Sequence, residues 1–248
     1  MKAYGLTHTG KVRNNNQDAF IIVNENISSL PNLYIVADGM GGHLAGEVAS
    51  QTSIKAFCAY INNTKASGDD LGAYLAEAAL YANTKVFEDS LKNSEYMGMG
   101  TTFTAMTISK NIGYITHIGD SRIYLINNHE IKLLTTDHTY ADELIRLGRI
   151  TKQEALYHPN KHVLTRALGT DEEVKVDTFV FEITKGDKLL MCTDGLSNMI
   201  HEDEMKEIVL NRDAEVAINN LIMAANQNGG VDNITSILID TVGDEYVA

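Results

Sequence analysis

The sequence predicts an α+β fold, antiparallel sheet with helices segregated onto its faces. Strand-like runs follow one another in clusters, three stretches carry helical periodicity, and strands and helices do not alternate strictly along the 248 residues.

Ile54, Phe57, Cys58 and Ile61 recur at the i, i+3, i+4, i+7 spacing, so a first amphipathic helix is expected after about Gly46. A second follows the capping candidates Asp69 and Asp70, with Leu71, Leu75, Ala78, Ala82 and Val86 along one stripe. A third presents Ile218, Leu221, Ile222 and Ala225 and stops at Gly229-Gly230. Strands are predicted at Leu33–Ala37, Ile112–Ile118, Arg122–Ile126, Ile131–Leu134, Val174–Ile183, Lys188–Thr193 and Ile234–Thr241, after a first strand near the N-terminus. Asn127-Asn128 is expected to turn a hairpin, because Asn tolerates positive φ. Polar residues 137–168 interrupt the strands with short helices expected near Tyr140–Leu147 and Lys152–Tyr157; such an insertion is an active-site flap or a plain surface excursion.

The length fits one domain, 1–248, without linker or repeat. Twenty basic residues against 33 acidic ones leave a formal charge of −13, which disfavours nucleic acid and anionic membrane as partners. Cys58 and Cys192 form no CxxC pair, the N-terminal residues lack a signal-peptide apolar core, and no apolar run approaches the roughly 20 residues needed to span a bilayer. A cytoplasmic protein is expected.

The chemistry-bearing feature is a repeated unit, an apolar strand ending in Asp: Ile35-Val36-Ala37-Asp38-Gly39, His117-Ile118-Gly119-Asp120 and Leu190-Met191-Cys192-Thr193-Asp194-Gly195. Asp232, just before the last strand, supplies a fourth acid. One Asp-Gly is a turn signal; four acids at strand ends can converge on one edge of a sheet. Clustered carboxylates raise one another's pKa unless a cation neutralises them, and an all-oxygen donor set selects hard ions, Mg2+ or Mn2+. Two such ions about 3.5–4 Å apart can share a water and lower its pKa, which suits hydrolysis of a phosphate ester. Arg13 offers a guanidinium fork to a phosphate, although a lone surface Arg is more often simply solvated.

Seven motifs occur in order: Arg13 to Asp18 (Arg-Asn-Asn-Asn-Gln-Asp), Asp38 to His43 (Asp-Gly-Met-Gly-Gly-His), Gly100-Thr101-Thr102, Gly119-Asp120-Ser121-Arg122, Thr165 to Gly169 (Thr-Arg-Ala-Leu-Gly), Asp194-Gly195-Leu196 and Asp232 to Thr235 (Asp-Asn-Ile-Thr). Together they resemble the metal-dependent protein phosphatases of the 2C type, the PPM family, in its bacterial branch, over nearly the whole chain. The resemblance implies a central antiparallel β-sandwich flanked by helix pairs in α-β-β-α layers, and a phosphoserine/phosphothreonine phosphatase acting on proteins through a metal-bridging water or hydroxide. It also implies that Asp38 bridges two ions, that Gly39 ligates through its carbonyl, and that Asp194 and Asp232 complete one site with Asp18 nearby. Asp120 would join Asp194 around a third, weaker ion, Arg13 would bind the substrate phosphate, Asn233 would orient Asp232, and 137–168 would be the flap. Phosphoprotein substrates, a bacterial Ser/Thr kinase as opposing enzyme and a monomeric state are the implied partners.

Two positions depart from the better-known eukaryotic pattern. Met40 stands where those members carry a proton-donating His, so His43 is the candidate general acid, with a structural role at a helix start as the competing reading. Gln17 replaces a Glu and so carries no ligand charge.

Other signals are weaker. His158 and His162 have a zinc-compatible i, i+4 spacing, but Pro159 intervenes and no HExxH box surrounds them, so surface flap histidines are expected. His117 reads as a satisfied sheet residue. A cysteine phosphatase needs an Arg six positions beyond the nucleophile, where this chain has Thr64 and Asn198. The alternatives are a catalytically silent module of the same fold, expected to lose one of Asp38, Asp194 or Asp232, and a hydrolase of small phosphate esters.

Overall fold

The computed structural model describes residues 1–42, 44–68 and 70–241. Along the chain run β1 (Lys2–His8), β2 (Asp18–Val23), β3 (Leu33–Met40), α1 (Ala45–Asn63), α2 (Leu71–Lys92), β4 (Gly100–Thr101), β5 (Phe103–Ser109), β6 (Ile112–Ile118), β7 (Arg122–Ile126) and β8 (Ile131–Leu133). After these come α3 (Tyr140–Arg146), α4 (Lys152–Leu156), β9 (Asp177–Glu182), β10 (Lys188–Cys192), α5 (Asp194–Ser197), α6 (Glu202–Leu210), α7 (Ala214–Gln227) and β11 (Ile234–Asp240). One sheet has the order β1-β11-β10-β7-β8 and the other β2-β3-β5-β6-β9, with β4 paired to β3. The strand pairings are antiparallel.

The sequence specifies the layering through the alternation of side chains along each strand. In β3, Leu33, Ile35 and Ala37 face α1 and α2, whereas Tyr34 and Val36 face the second sheet. In β10, Leu190 and Cys192 face α6 and α7, whereas Leu189 and Met191 enter the inter-sheet core with Ile237 and Ile239 of β11. Strands buried on both faces read as continuous apolar runs, and that is why they were visible in the sequence. The layers are therefore helix, sheet, sheet, helix.

The predicted helices form. Asp70 caps α2 by accepting from the Ala73 amide at 3.0 Å, and Leu75, Ala78, Ala82 and Val86 are fully buried. Gly229 and Gly230 end α7 at φ +133° and +55°, and the Gly230 amide closes the last turn on the Ala225 carbonyl. Among the elements that escaped the sequence reading are β2, β5 and α6. Thr104 and Thr107 dilute the apolar signal of β5, yet both are buried because their hydroxyls find His117 Nδ1 and the Asn32 carbonyl. Helix α6 buries only Met205 and Val209, too few positions to show a period.

Two predicted details are corrected. The Val174–Ile183 strand shortens to Asp177–Glu182. The β7–β8 hairpin turns over residues 127–130 without positive φ at either Asn; Asn127 Oδ1 instead accepts from the His129 and Glu130 amides, each at 3.0 Å. The 137–168 insertion carries α3 and α4 where helices were expected, and Thr151 and Glu154 form a capping box on α4. Among the described residues no helix is long and apolar enough to cross a membrane.

Candidate active site

Sheet register brings the predicted acids to one end of the sandwich. Asp18 opens β2 directly opposite Asp38 near the end of β3. Asp194 follows β10, Asp232 precedes β11, and Asp120 lies in the turn between β6 and β7. Like charges directly opposite across a strand pair are destabilising, so this arrangement is not one that packing alone would select. The Asp38 carboxyl is pushed well above the usual range, by burial first and then by the charges of Asp18, Asp194, Asp120 and Asp232. Asp18 rises to about 7, through burial and the charges of Asp194 and Asp232, against hydrogen bonds from Thr235 and Thr193. Burial and Asp194 raise Asp120 well above its ordinary value, and burial and Asp232 raise Asp194, which a hydrogen bond shared with Asp38 pulls back.

The residues fit divalent cations. Asp18 Oδ1 and Asp194 Oδ1 are buried without a hydrogen-bond partner, a costly condition that a cation relieves. The side-chain donors are carboxylates, hard oxygens that suit Mg2+ or Mn2+. Among the described residues no three Asp, Glu, His or Cys side chains are already closed around one point. Asp232 Oδ2 accepts from Arg13 Nη2 at 2.8 Å and Asp18 Oδ2 from Thr193 Oγ1 at 2.9 Å. A cation placed among these carboxylates would turn their mutual repulsion into shared attraction.

The backbone around the acids is tightly constrained. A Cβ on Gly39 would lie 2.0 Å from the Gly46 carbonyl, so the end of β3 and the first turn of α1 meet at a distance only glycine permits. Asn233 donates its backbone amide to Asp232 Oδ1 at 2.8 Å, and its side chain serves the loop between β1 and β2. There Oδ1 accepts from the Gln17 amide at 2.8 Å, and Nδ2 donates to the Thr9 and Asn15 carbonyls, each at 2.9 Å. Asn233 thus fastens the segment that carries Arg13. Arg13 itself is half-exposed beside Asp232, within the field of Asp38 and Asp194. His43 lies outside the described residues.

The sequence reading missed the threonines that brace the acids. Thr102 Oγ1 accepts from the Asp38 amide at 2.9 Å, Thr101 Oγ1 donates to the Asp38 carbonyl at 2.9 Å, and Thr193 holds Asp18. Thr193 directly precedes Asp194, and Thr101 and Thr102 stand in the Gly-Thr-Thr motif; those were the available signals. A cleft of about 440 Å³ runs from Asp120 and Asp194 to the 137–168 insertion, where Ile145, Lys161 and His162 line it. His158, the other histidine of that spacing, packs on Tyr140 with ring centres 5.6 Å apart. A larger cleft of about 650 Å³, beside Leu30, Ala66, Lys110 and Tyr114, contains none of these acids.

Carboxylates gathered at the strand ends of a four-layer sandwich, with an arginine at their edge, define a metal-dependent phosphatase. The family model described as protein phosphatase 2C matches residues 7–222, and the chain belongs to that family. A serine/threonine phosphatase stp of Listeria monocytogenes serotype 4b is 39% identical over 247 residues, covering 97% of this chain and 96% of the relative. The crystal structure of serine/threonine phosphatase Stp1 from Staphylococcus aureus superposes with a TM-score of 0.90 at 32% identity, covering 98% of this chain and 95% of the other. The catalytic domain of serine threonine protein phosphatase PstP, in complex with two manganese ions, gives a TM-score of 0.82 at 34% identity, covering 96% and 97%.

Proposed function

We propose that the chain hydrolyses phosphoserine and phosphothreonine esters on proteins with Mn2+ or Mg2+ held by Asp38, the Gly39 carbonyl, Asp194 and Asp232, with Asp18 close by. A third, weaker ion is assigned to Asp120 with Asp194. The observation that carries this reading is the pair of buried, unpartnered carboxylate oxygens on Asp18 and Asp194 within a group of acids whose pKa values are raised. When bound, the ions supply an activated water for attack at phosphorus and neutralise charge on the phosphoryl oxygens. Thr101, Thr102 and Thr193 hold the acids in place, and Asn233 positions the segment bearing Arg13. Arg13 exchanges Asp232 for the substrate phosphate, to which its fork can make two parallel hydrogen bonds. His43 is the sequence-based candidate for protonating the leaving alcohol. The reading extends to one catalytic domain, a monomer in the cytoplasm, and a bacterial Ser/Thr kinase as opposing enzyme.

The test is Mn2+-dependent turnover of an aryl phosphate. Asp38→Ala and Asp194→Ala abolish it while far-ultraviolet circular dichroism is unchanged. Arg13→Ala raises KM about 10-fold or more, from the ~1.5–3 kcal/mol of a hydrogen bond to a charged group, and leaves Mn2+ affinity equal or higher because Asp232 is released. Turnover that survives rigorous chelation, or full activity in either Asp variant, defeats the proposal.

A further inference from the structure

Asp120 poses a positioning problem. Asp120 is buried in the turn between β6 and β7, near acids of like charge that offer its carboxylate no attraction. Its place must come from its backbone, a turn of residues 119–121 that Gly119 enters at φ +105°. One side of that turn is tied by Ser121 Oγ to Thr102 Oγ1 at 2.8 Å. The other side is tied by His138, at the root of the 137–168 insertion, which grips Gly119 twice. The Gly119 amide donates to His138 Nδ1 at 3.0 Å, and the His138 amide donates to the Gly119 carbonyl at 2.8 Å.

The first of these bonds requires an unprotonated Nδ1, which puts the ring proton on Nε2. Nε2 then donates to Asp177 Oδ2 at 3.2 Å, and Asp177 is anchored in turn by Arg166 Nη1 at 2.7 Å. Burial keeps the His138 ring neutral, and the neighbouring His117 ring, 4.8 Å away, is satisfied separately by Thr104 and the Thr136 carbonyl. The His138 carbonyl also receives the Thr165 amide.

We propose that His138 is a positioning residue for Asp120, its tautomer set by Asp177 and its ring and amide clamping Gly119. The proposal rests on the reading of Asp120 as an ion-holding residue. An outer partner that orients a ligand in this way typically governs about 10–100-fold in metal affinity. His138→Asn keeps an acceptor at the Nδ1 position, whereas His138→Leu removes it. Asp177→Asn can present its amide N–H to Nε2, which would move the ring proton to Nδ1 and set it against the Gly119 amide.

The experiment measures Mn2+ binding to the full chain by electron paramagnetic resonance of the free ion, with melting temperature recorded in parallel. Asp120→Ala is expected to remove the weakest Mn2+ site. His138→Leu and Asp177→Asn are expected to weaken that site about 10-fold and leave the tighter sites unchanged, and His138→Asn to recover most of the affinity. If His138→Leu does not fold, Asp177→Asn carries the test, since Asp177 is partly exposed. A lowered melting temperature with an unaltered weakest site, or failure of Asn to do better than Leu, overturns the proposal. Unchanged Mn2+ binding in Asp120→Ala overturns the ion reading of Asp120, and the positioning role with it.

Discussion

His117 shows how one buried side chain converts local bonding into a pH response. It is fully buried in β6, with Nδ1 accepting from Thr104 Oγ1 and Nε2 donating to the Thr136 carbonyl, so both nitrogens are satisfied in the neutral form. Burial lowers its pKa to about 3, below its ordinary value near 6.5. Between those values the unfolded chain binds the extra proton and the folded chain does not, so stability rises with pH across this window. Acidification from about 6.5 toward 3 should therefore cost up to several kcal/mol, at about 1.4 kcal/mol per pH unit. His117→Asn should be less stable at pH 7 but show a shallower slope in urea denaturation between pH 6.5 and 4; an equally steep slope would assign the acid sensitivity elsewhere. The strand role of His117 was legible from its apolar neighbours. The Asn233 side-chain bonds were not, because Thr9, Asn15 and Gln17 lie more than 200 positions away.

Between elements, the site depends on backbones approaching too closely for a side chain. A Cβ on Gly195, in the first turn of α5, would lie 2.0 Å from the Asn233 carbonyl, and its next neighbours are also main chain and the Asp232 Cβ. Neither strand nor helix can yield without displacing Asp194 and Asp232. Gly195→Ala should destabilise by about 1–3 kcal/mol or more, as overpacking does, and should also weaken Mn2+ binding. Gly148→Ala, at φ +65° with open space around it, should cost only the conformational penalty of about 1–2 kcal/mol and leave Mn2+ binding intact. Thermal melts with and without Mn2+ separate the two; equal behaviour would deny the close approach any part in the site.

Across the whole molecule, a formal charge of −13 and a cluster of buried acids make the fold responsive to cations. Ligands that bind only the folded state stabilise by mass action, about 2.7 kcal/mol at 100 times Kd, and each kcal/mol raises Tm by about 2–4 °C in a chain of this size. Mn2+ should raise Tm by several degrees at pH 7, chelation should reverse it, and Asp38→Ala should lose most of the response. A Tm indifferent to Mn2+ in the unaltered chain would contradict the assigned site.

The sequence by itself determined the α+β class, the three longer helices, most strands, the 2C-type family and the acids that gather at the site. It could do so because apolar periodicity and strand-end motifs are local patterns. Only the tertiary structure decided which acid faces which, that Asn233 braces the Arg13 segment, that β2 and β5 are strands at all, and that His138 reaches Gly119. Those outcomes depend on sheet register and on hydrogen bonds between residues distant in the chain, where the energy lies in the pairing and neither partner alone reveals it.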